Sequence, residues 1–357
     1  MKKTKLLLTS LVLSASVLAG CGTTSSSEPT SASTSEETNV TSQDTKEAGH
    51  FGFGGIATYK VTDATEAKVG SVQTDINFAS ILLGKDSKIK QLRLDVVQIK
   101  VAANDAGDAT VYTSGADTKS KWELLGAYNM IGASPIGKEW YEQAEAFENF
   151  AVGKTVAQLV ALEKEDTNLE GGLAAGVTIH VNGFMDAIVA AEAAKVAVAD
   201  VKDVKVGVGG VGGTGNNQSN YTIAGAAFAA DKKVVAARMD VFQIPYSLAP
   251  ATDVLKGAIS INTAKVAVDA ENLRIKGKHE LGDLYNMKGA QGEWYEQANK
   301  ITALMVGKTV ETALELGEDN KLVDKVAAGV SITVNDYRAS FLEAVGTAFN
   351  PRYTAAA

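Results

Sequence analysis

The chain has one cysteine, three histidines and five prolines among its 357 residues. A single thiol excludes an internal disulfide framework, a CxxCH haem attachment and an iron–sulfur cluster. His50, His180 and His279 lie far apart and show no ligand spacing, so a two-histidine metal site is not indicated. Positive charge is scarce too: 34 Lys and Arg stand against 42 Asp and Glu, a formal net charge of −8. An acidic body has no electrostatic footprint for nucleic acid and is repelled by anionic lipid. Aromatic residues make up only 6% of the chain, so a place where they occur twice is informative.

The amino end carries what the rest lacks. Lys2, Lys3 and Lys5 precede an apolar run from Leu6 to Leu18, which closes on Leu-Ala-Gly-Cys. That order is expected of a secretory signal peptide over residues 1–20. The run is too short to span a bilayer comfortably, for which about 20 apolar residues are needed. Leu-Ala-Gly-Cys also matches the bacterial lipobox, so Cys21 is expected to carry lipid as the first mature residue. Residues 21–48 are rich in Ser, Thr and Glu and nearly devoid of apolar side chains. Such a segment cannot bury enough surface to offset the entropy of ordering. It reads as a tether reaching roughly 30 Å from the membrane as a flexible coil.

The remainder is a duplication. Arg-Leu-Asp-Val-Val-Gln-Ile from Arg93 is answered by Arg-Met-Asp-Val-Phe-Gln-Ile from Arg238, and the Tyr-Asn-Met at Tyr128 by that at Tyr285. Glu-Trp-Tyr-Glu-Gln from Glu139 returns at Glu293, Val-Gly-Lys-Thr-Val from Val152 returns at Val306, and AAGVTIHVN from Ala174 returns as AAGVSITVN from Ala327. The order is identical and the offsets stay between 145 and 157 residues, which is a duplicated domain rather than a solenoid. The expected division is a first domain over 49–198, a Gly-rich linker over 199–215, a second domain over 216–350 and a tail over 351–357.

Each copy reads as strands followed by helices, an α+β plan. Residues 54–61, 71–83 and 87–101 are rich in Val, Ile and Thr and predict strands. Helices are expected from Trp122 to Met130 and from Lys138 to Phe150, with short ones after the N-caps Thr155 and Thr309. The repeated Ala-Ala-Gly-Val run reads as extended chain leading into a last helix that Asn182 or Asn335 would cap. In the second copy Tyr337, Phe341, Ala344, Val345, Ala348 and Phe349 share one helical face.

Several motifs invite chemistry. Gly-Val-Gly-Gly-Val-Gly, Gly207 to Gly212, matches GxGxxG, but the segment after it is loop-like, so a glycine-rich interdomain turn is the simpler reading. Arg93 with Asp95, and Arg238 with Asp240, place opposite charges two apart on a strand and read as surface pairs. Gln98 and Gln243 are equally able to present an amide to a ligand or to satisfy a backbone. Trp140 and Tyr141, repeated as Trp294 and Tyr295, read as core plus rim or as a stacking surface for a planar ring system. In the Ala-Ala-Gly-Val run the hydroxyl, Thr178 or Ser331, follows Gly176 or Gly329 with little steric cover. A phosphate there would lie close to a helix N-terminus, which favours an anion. No general base recurs beside it, so a self-activated nucleophile is not indicated.

The run from Val323 to Phe349 resembles the carboxyl end of bacterial FMN-binding domains, in which a hydroxyl ahead of a helix is esterified to FMN phosphate by an ApbE-type flavin transferase. With the lipobox, the tether, the tandem copies and the Tyr-Asn-Met and Glu-Trp-Tyr-Glu-Gln blocks, the mature chain resembles the PplA-type extracellular electron-transfer lipoproteins. The resemblance implies two covalent FMN groups, on Thr178 and Ser331, with Gly176 and Gly329 as motif glycines. It implies a membrane quinone-linked donor fed by NADH dehydrogenase, acceptors such as ferric iron, and a lipid-anchored location on the outer face of the cell membrane. The competing expectations are a solute-binding lipoprotein serving a transporter and a surface adhesin or spacer.

Overall fold

A computed structural model describes residues 46–111, 118–164, 166–215, 217–287, 289, 291–315, 317–318, 321–322 and 329–349. These belong to one compact unit spanning Thr45–Ala357. The expected signal peptide, the lipidation site Cys21, nearly all of the tether and the tail lie outside the described residues.

The protein is α+β, with two antiparallel sheets packed against helices. In the first copy β1 (Gly49–Thr62), β2 (Ser71–Gly84) and β3 (Ile89–Ala103) form a meander. The helical part follows: α1 (Lys121–Leu124), α2 (Trp140–Ala151), α3 (Val156–Val160), α4 (Gly172–Ala175) and α5 (Asn182–Ala193). Short strands β4 (Ala109–Val111) and β5 (Val196–Val198) pair with β3 and β1. The second copy repeats the plan with β6 (Lys205–Thr214), β7 (Gln218–Phe228), β8 (Val234–Ala249) and β9 (Ala258–Ile261). Its helices are α6 (Lys278–Leu281), α7 (Trp294–Met305), α8 (Val310–Leu314) and α9 (Asn335–Phe349).

The predicted strands and the helix expected from Lys138 to Phe150 are found in the first copy, while the helix expected from Trp122 to Met130 is a single α-turn, Lys121–Leu124, followed by a 3-10 turn, Leu125–Tyr128. Thr155 and Thr309 cap α3 and α8 through their side chains, as the sequence predicts. Asn182 does not cap α5: it is the first helical residue, and Val181 occupies the cap position without a side-chain bond. On α9, Tyr337, Phe341 and Ala344 are buried, and Val345, Ala348 and Phe349 pack beside them.

The two copies share a core between their sheets. Strand β2 is buried without a break from Ile76 to Gly84, as a strand covered on both faces must be. Alternate residues serve different layers: Ile76, Phe78 and Leu82 join Tyr221, Ile223 and Phe242 of the second copy in a shared core, while Ala79, Ile81 and Leu83 meet the helices of their own copy. The copies thus pack sheet against sheet, with helices outside. A further pair, β10 (Val268–Asp269) and β11 (Arg274–Ile275), comes from the second copy and adds to the edge of β1 in the first.

The Gly-rich segment is not a linker. Residues 205–214 form β6, in register with β7. Its glycines make room for close neighbours: a Cβ at Gly207 would run into the Ala344 carbonyl oxygen of α9 and one at Gly209 into that of Ser340, while Gly210 and Gly212 leave space for Tyr221 of β7. Gly52 and Gly54 of β1 meet α5 in the same way, at Ala191 and Ala190. Phe51 to Ile56, FGFGGI, is therefore the first-copy counterpart of VGVGGV, Val206 to Val211. Only the glycines are shared between these two segments.

Candidate functional site

Helix α2 turns Trp140, Ala144, Phe147 and Ala151 into the core, and with them Gln143. An amide buried there must find partners or cost free energy. Gln143 Oε1 accepts two hydrogen bonds from one residue, the Thr178 backbone N–H at 2.8 Å and the Thr178 hydroxyl at 3.0 Å. Its Nε2 donates to Ser134 Oγ at 3.0 Å and to the Lys138 carbonyl at 3.4 Å. In the second copy Gln297 Oε1 accepts from Ser331 N at 2.7 Å and Ser331 Oγ at 3.1 Å, and its Nε2 donates to the Gly292 carbonyl at 2.9 Å. Both glutamines are fully buried. The Glu-Trp-Tyr-Glu-Gln and Ala-Ala-Gly-Val blocks, about 35 residues apart in sequence, are two halves of one clasp.

The other repeated letters fall into place around it. Glu139 and Glu293 start their helices with capping boxes closed by Glu142 and Glu296. Their carboxylates also hold the Tyr-Asn-Met loop, accepting from Met130 N at 2.8 Å and from Met287 N at 2.9 Å. Asn129 and Asn286 of those loops sit in the left-handed region at φ 58° and 57°, a conformation asparagine tolerates better than most residues. The motif glycines require it more strongly, with φ 78° at Gly176 and 64° at Gly329.

Each motif glycine has an ammonium beside it. A Cβ on Gly176 would stand 3.4 Å from Lys138 Nζ. Lys300 Nζ donates to the Gly329 carbonyl at 3.2 Å. These lysines come from non-equivalent positions: one precedes its Glu-Trp-Tyr-Glu-Gln block and the other follows it, so neither belongs to a repeated block.

Thr178 opens onto a cavity of about 470 Å³ between the helices and the strand faces of the first copy. Its walls include Tyr128, Lys121, Asp75, Gln98, Trp140 and His180. Gln98, open in the sequence reading, is a wall residue: it accepts from Tyr128 Oη at 2.9 Å and donates to Asp75 Oδ1 at 2.9 Å. Lys121 Nζ lies 4.6 Å from the centre of the Tyr128 ring and 5.3 Å from that of Trp140. Lys278 repeats this over Tyr285 and Trp294 at 4.5 and 5.3 Å. Burial lowers the Lys121 ammonium to about 8, while Asp75 and Asp95 oppose the shift.

Of the expected aromatic surface, Trp140 alone reaches this cavity, and its faces are taken. It packs edge-on against Trp122 and Phe184, both at 6.0 Å. Trp294 is equally buried and donates from Nε1 to Tyr337 Oη at 2.9 Å. Tyr141 leans on Trp122, and Tyr295 donates to Asp283, so core plus rim describes the four residues better than a stacking platform. The exposed-cavity aromatic is Tyr128.

The strand pairs are not surface pairs. Arg93 bonds Glu148 of α2, a buried carboxylate that burial raises to about 7 against the pull of Arg93. Asp95 is buried and accepts from the backbone N–H groups of Val96 at 2.7 Å and Trp122 at 3.2 Å. Burial lifts its carboxyl to about 7, and that of Asp240, which accepts from His279 N at 3.1 Å, to about 6.

An amide oxygen accepts a hydrogen bond without removing the proton, so Gln143 and Gln297 orient their hydroxyls and do not activate them. Among the described residues no cluster of three His, Cys, Asp or Glu is arranged to hold a metal ion, and no helix is long and apolar enough to cross a membrane.

Fold and site together define an α+β chain of two homologous halves, each presenting one hydroxyl on a buried glutamine beside a lysine ammonium. No family model and no solved structure matches the chain. It is similar to a chlorophenol reductase of Desulfitobacterium hafniense, 30% identical over 118 residues, a stretch covering 30% of this chain and 36% of the reductase. The match thus spans about a third of that protein's length.

Proposed function

We propose that the chain is a lipid-anchored flavoprotein on the outer face of the cell membrane, carrying FMN esterified through its phosphate to Thr178 and to Ser331. The observation that carries the reading is the clasp made twice, a buried glutamine fixing the backbone and hydroxyl of one residue. A hydroxyl held but not activated suits modification by a separate enzyme, here a flavin transferase of the ApbE type.

The residues fit such a group. The cavity at Thr178, about 470 Å³, is within the range of roughly 300–1,000 Å³ usual for small-molecule sites. Lys138 and Lys300 stand by the motif glycines, where they would offset phosphate charge. Tyr128, Lys121 and the Gln98–Asp75 pair would form the wall against which a ring system is oriented. When bound, the flavin supplies the redox chemistry, and the chain supplies attachment, orientation and electrostatics. A covalent bond suits a site outside the cell, from which a dissociating cofactor would be lost.

Electrons would enter from a membrane quinone-linked donor and leave to extracellular acceptors such as ferric iron. The similarity to a protein named as a reductase supports a redox role of this kind. The test is protein made in a host that expresses the transferase. Flavin absorbance that survives denaturation and desalting is expected. Colourless protein from that host contradicts the reading and favours a solute-binding lipoprotein.

A further inference from the structure

The two copies close against each other at a pair of reciprocal junctions, where the first strand and last helix of one meet the short helix of the other. At one junction Asp95, Trp122 and Glu123 face Gly209, Glu343 and Thr347, and the space left is about 10 Å³. At the other the matched positions are Asp240, His279 and Glu280 facing Gly54, Ala190 and Ala194, and a cleft of about 590 Å³ opens. The difference follows from the exchanges. Trp122 is matched by the smaller His279, Glu343 by Ala190 and Thr347 by Ala194.

A parallel exchange leaves Arg238 without the carboxylate that Arg93 has. Arg93 is neutralised by Glu148, whose counterpart on α7 is Thr302. The Thr302 hydroxyl turns back on its own helix, donating to the Ala298 and Asn299 carbonyls at 3.3 and 3.1 Å. Arg238, the counterpart of Arg93, therefore makes no ion pair among the described residues, and it lines the cleft with Arg274, which is paired with Glu280, and Lys195, which is paired with Glu192 at 3.7 Å. The acids of the cleft are already engaged. Asp240 accepts from Val241 N at 2.7 Å and His279 N at 3.1 Å, and Glu280 accepts from Arg274 Nη2 at 3.0 Å. Arg274 Nε, which can only donate, is buried without a hydrogen-bond partner, and buried polar atoms are ordinarily satisfied, so it points to an absent acceptor.

We infer that this cleft binds a small organic anion, its charged end received by Arg238 and Arg274 and its apolar body laid on Ala190, Ala193 and Ala194. The inference stands apart from the flavin reading, since none of these residues lies in the Thr178 clasp. A carboxylate pairs with arginine in a planar, two-bond geometry, which makes it the best matched head group.

Benzoate titrated into the mature protein, followed by ligand-observed NMR, tests this, with benzyl alcohol as the uncharged control. Thr302→Glu returns to Arg238 the carboxylate that Arg93 has, in a position known from the first copy to accept it. Arg238→Gln removes the charge directly. Saturable benzoate binding is expected, with benzyl alcohol and both variants weaker by about tenfold or more, since a charged hydrogen bond is lost. Melting temperature verifies that each variant is folded. No saturable benzoate binding, or binding that Arg238→Gln and Thr302→Glu leave unchanged, overturns the inference.

Discussion

Gln143 receives both the backbone N–H and the hydroxyl of Thr178 on a single oxygen, at 2.8 and 3.0 Å, and Gln297 repeats the arrangement on Ser331. Replacing Gln143 by Leu leaves the Thr178 N–H without its acceptor. The expected cost is about 1–3 kcal/mol of stability, the usual penalty for a buried unsatisfied group. Modification at Thr178 is expected to fall while that at Ser331 persists. Thermal melting and peptide mass spectrometry read the two effects separately.

Thr178→Ala removes only the hydroxyl bond and keeps the N–H bond to Gln143. It should cost about 0.5–1.5 kcal/mol and abolish modification of the first copy alone. Ser331→Ala should do the same for the second. Flavin content in the double variant equal to that of the unaltered protein would rule out both attachment sites.

The Arg93–Glu148 pair and its missing counterpart at Arg238 and Thr302 make a matched comparison. Glu148→Gln removes the charge that Arg93 meets on α2 and is expected to destabilise by about 1–3 kcal/mol. Thr302→Val, which removes a hydroxyl bonded only to its own helix, should cost under about 1.5 kcal/mol. Denaturant midpoints at constant slope distinguish the two.

Burial raises the Asp95 carboxyl to about 7 from an ordinary value of 3.8. A group whose folded pKa lies above its unfolded one contributes stability that is complete below the unfolded value and is lost as pH rises through the folded one. Asp95 should therefore contribute most below about pH 4 and lose that contribution by about pH 7. His279, lowered to about 3 by burial, acts oppositely in the same window, so the useful quantity is a difference. The melting temperature of Asp95→Asn minus that of the unaltered chain is expected to increase from pH 4.5 to pH 8. A flat difference contradicts the assignment.

A Cβ at Gly207 would meet the Ala344 carbonyl. Gly207→Ala is expected to destabilise by about 1–3 kcal/mol or more as α9 is pushed from β6. Gly137→Ala, where nothing lies within 4 Å but φ is 62°, isolates the conformational part of such a change. Equal effects at the two positions would argue against the close crossing.

Much of this was legible in the sequence. The repeated blocks gave the duplication, the Val- and Ile-rich runs gave the strands, and Thr155 and Thr309 marked two helix starts. Thr178 and Ser331 were found because a small-residue run was kept twice. What escaped depended on contacts distant in the chain. Gly207 to Gly212 has the letters of a turn, and its glycines are explained only by neighbours distant in the chain, α9 at Gly207 and Gly209 and Tyr221 at Gly210 and Gly212. The glutamine clasp joins blocks that matching treated as independent. Lys138 and Lys300 reach the same place from unmatched positions, so no repeat signal marks them. The sharing of one core by both sheets was not readable, because the run from Ile76 to Leu83 is broken by the polar Asn77 and Ser80 and its burial on both faces shows only in the fold.

The most direct measurement is tryptic mass spectrometry of protein from a transferase-expressing host, on the peptides Glu165 to Lys195 and Val326 to Arg338. The account predicts that both gain the mass of FMN less water, located at Thr178 and at Ser331. Both peptides unmodified, from a host shown to flavinylate another substrate, would contradict it.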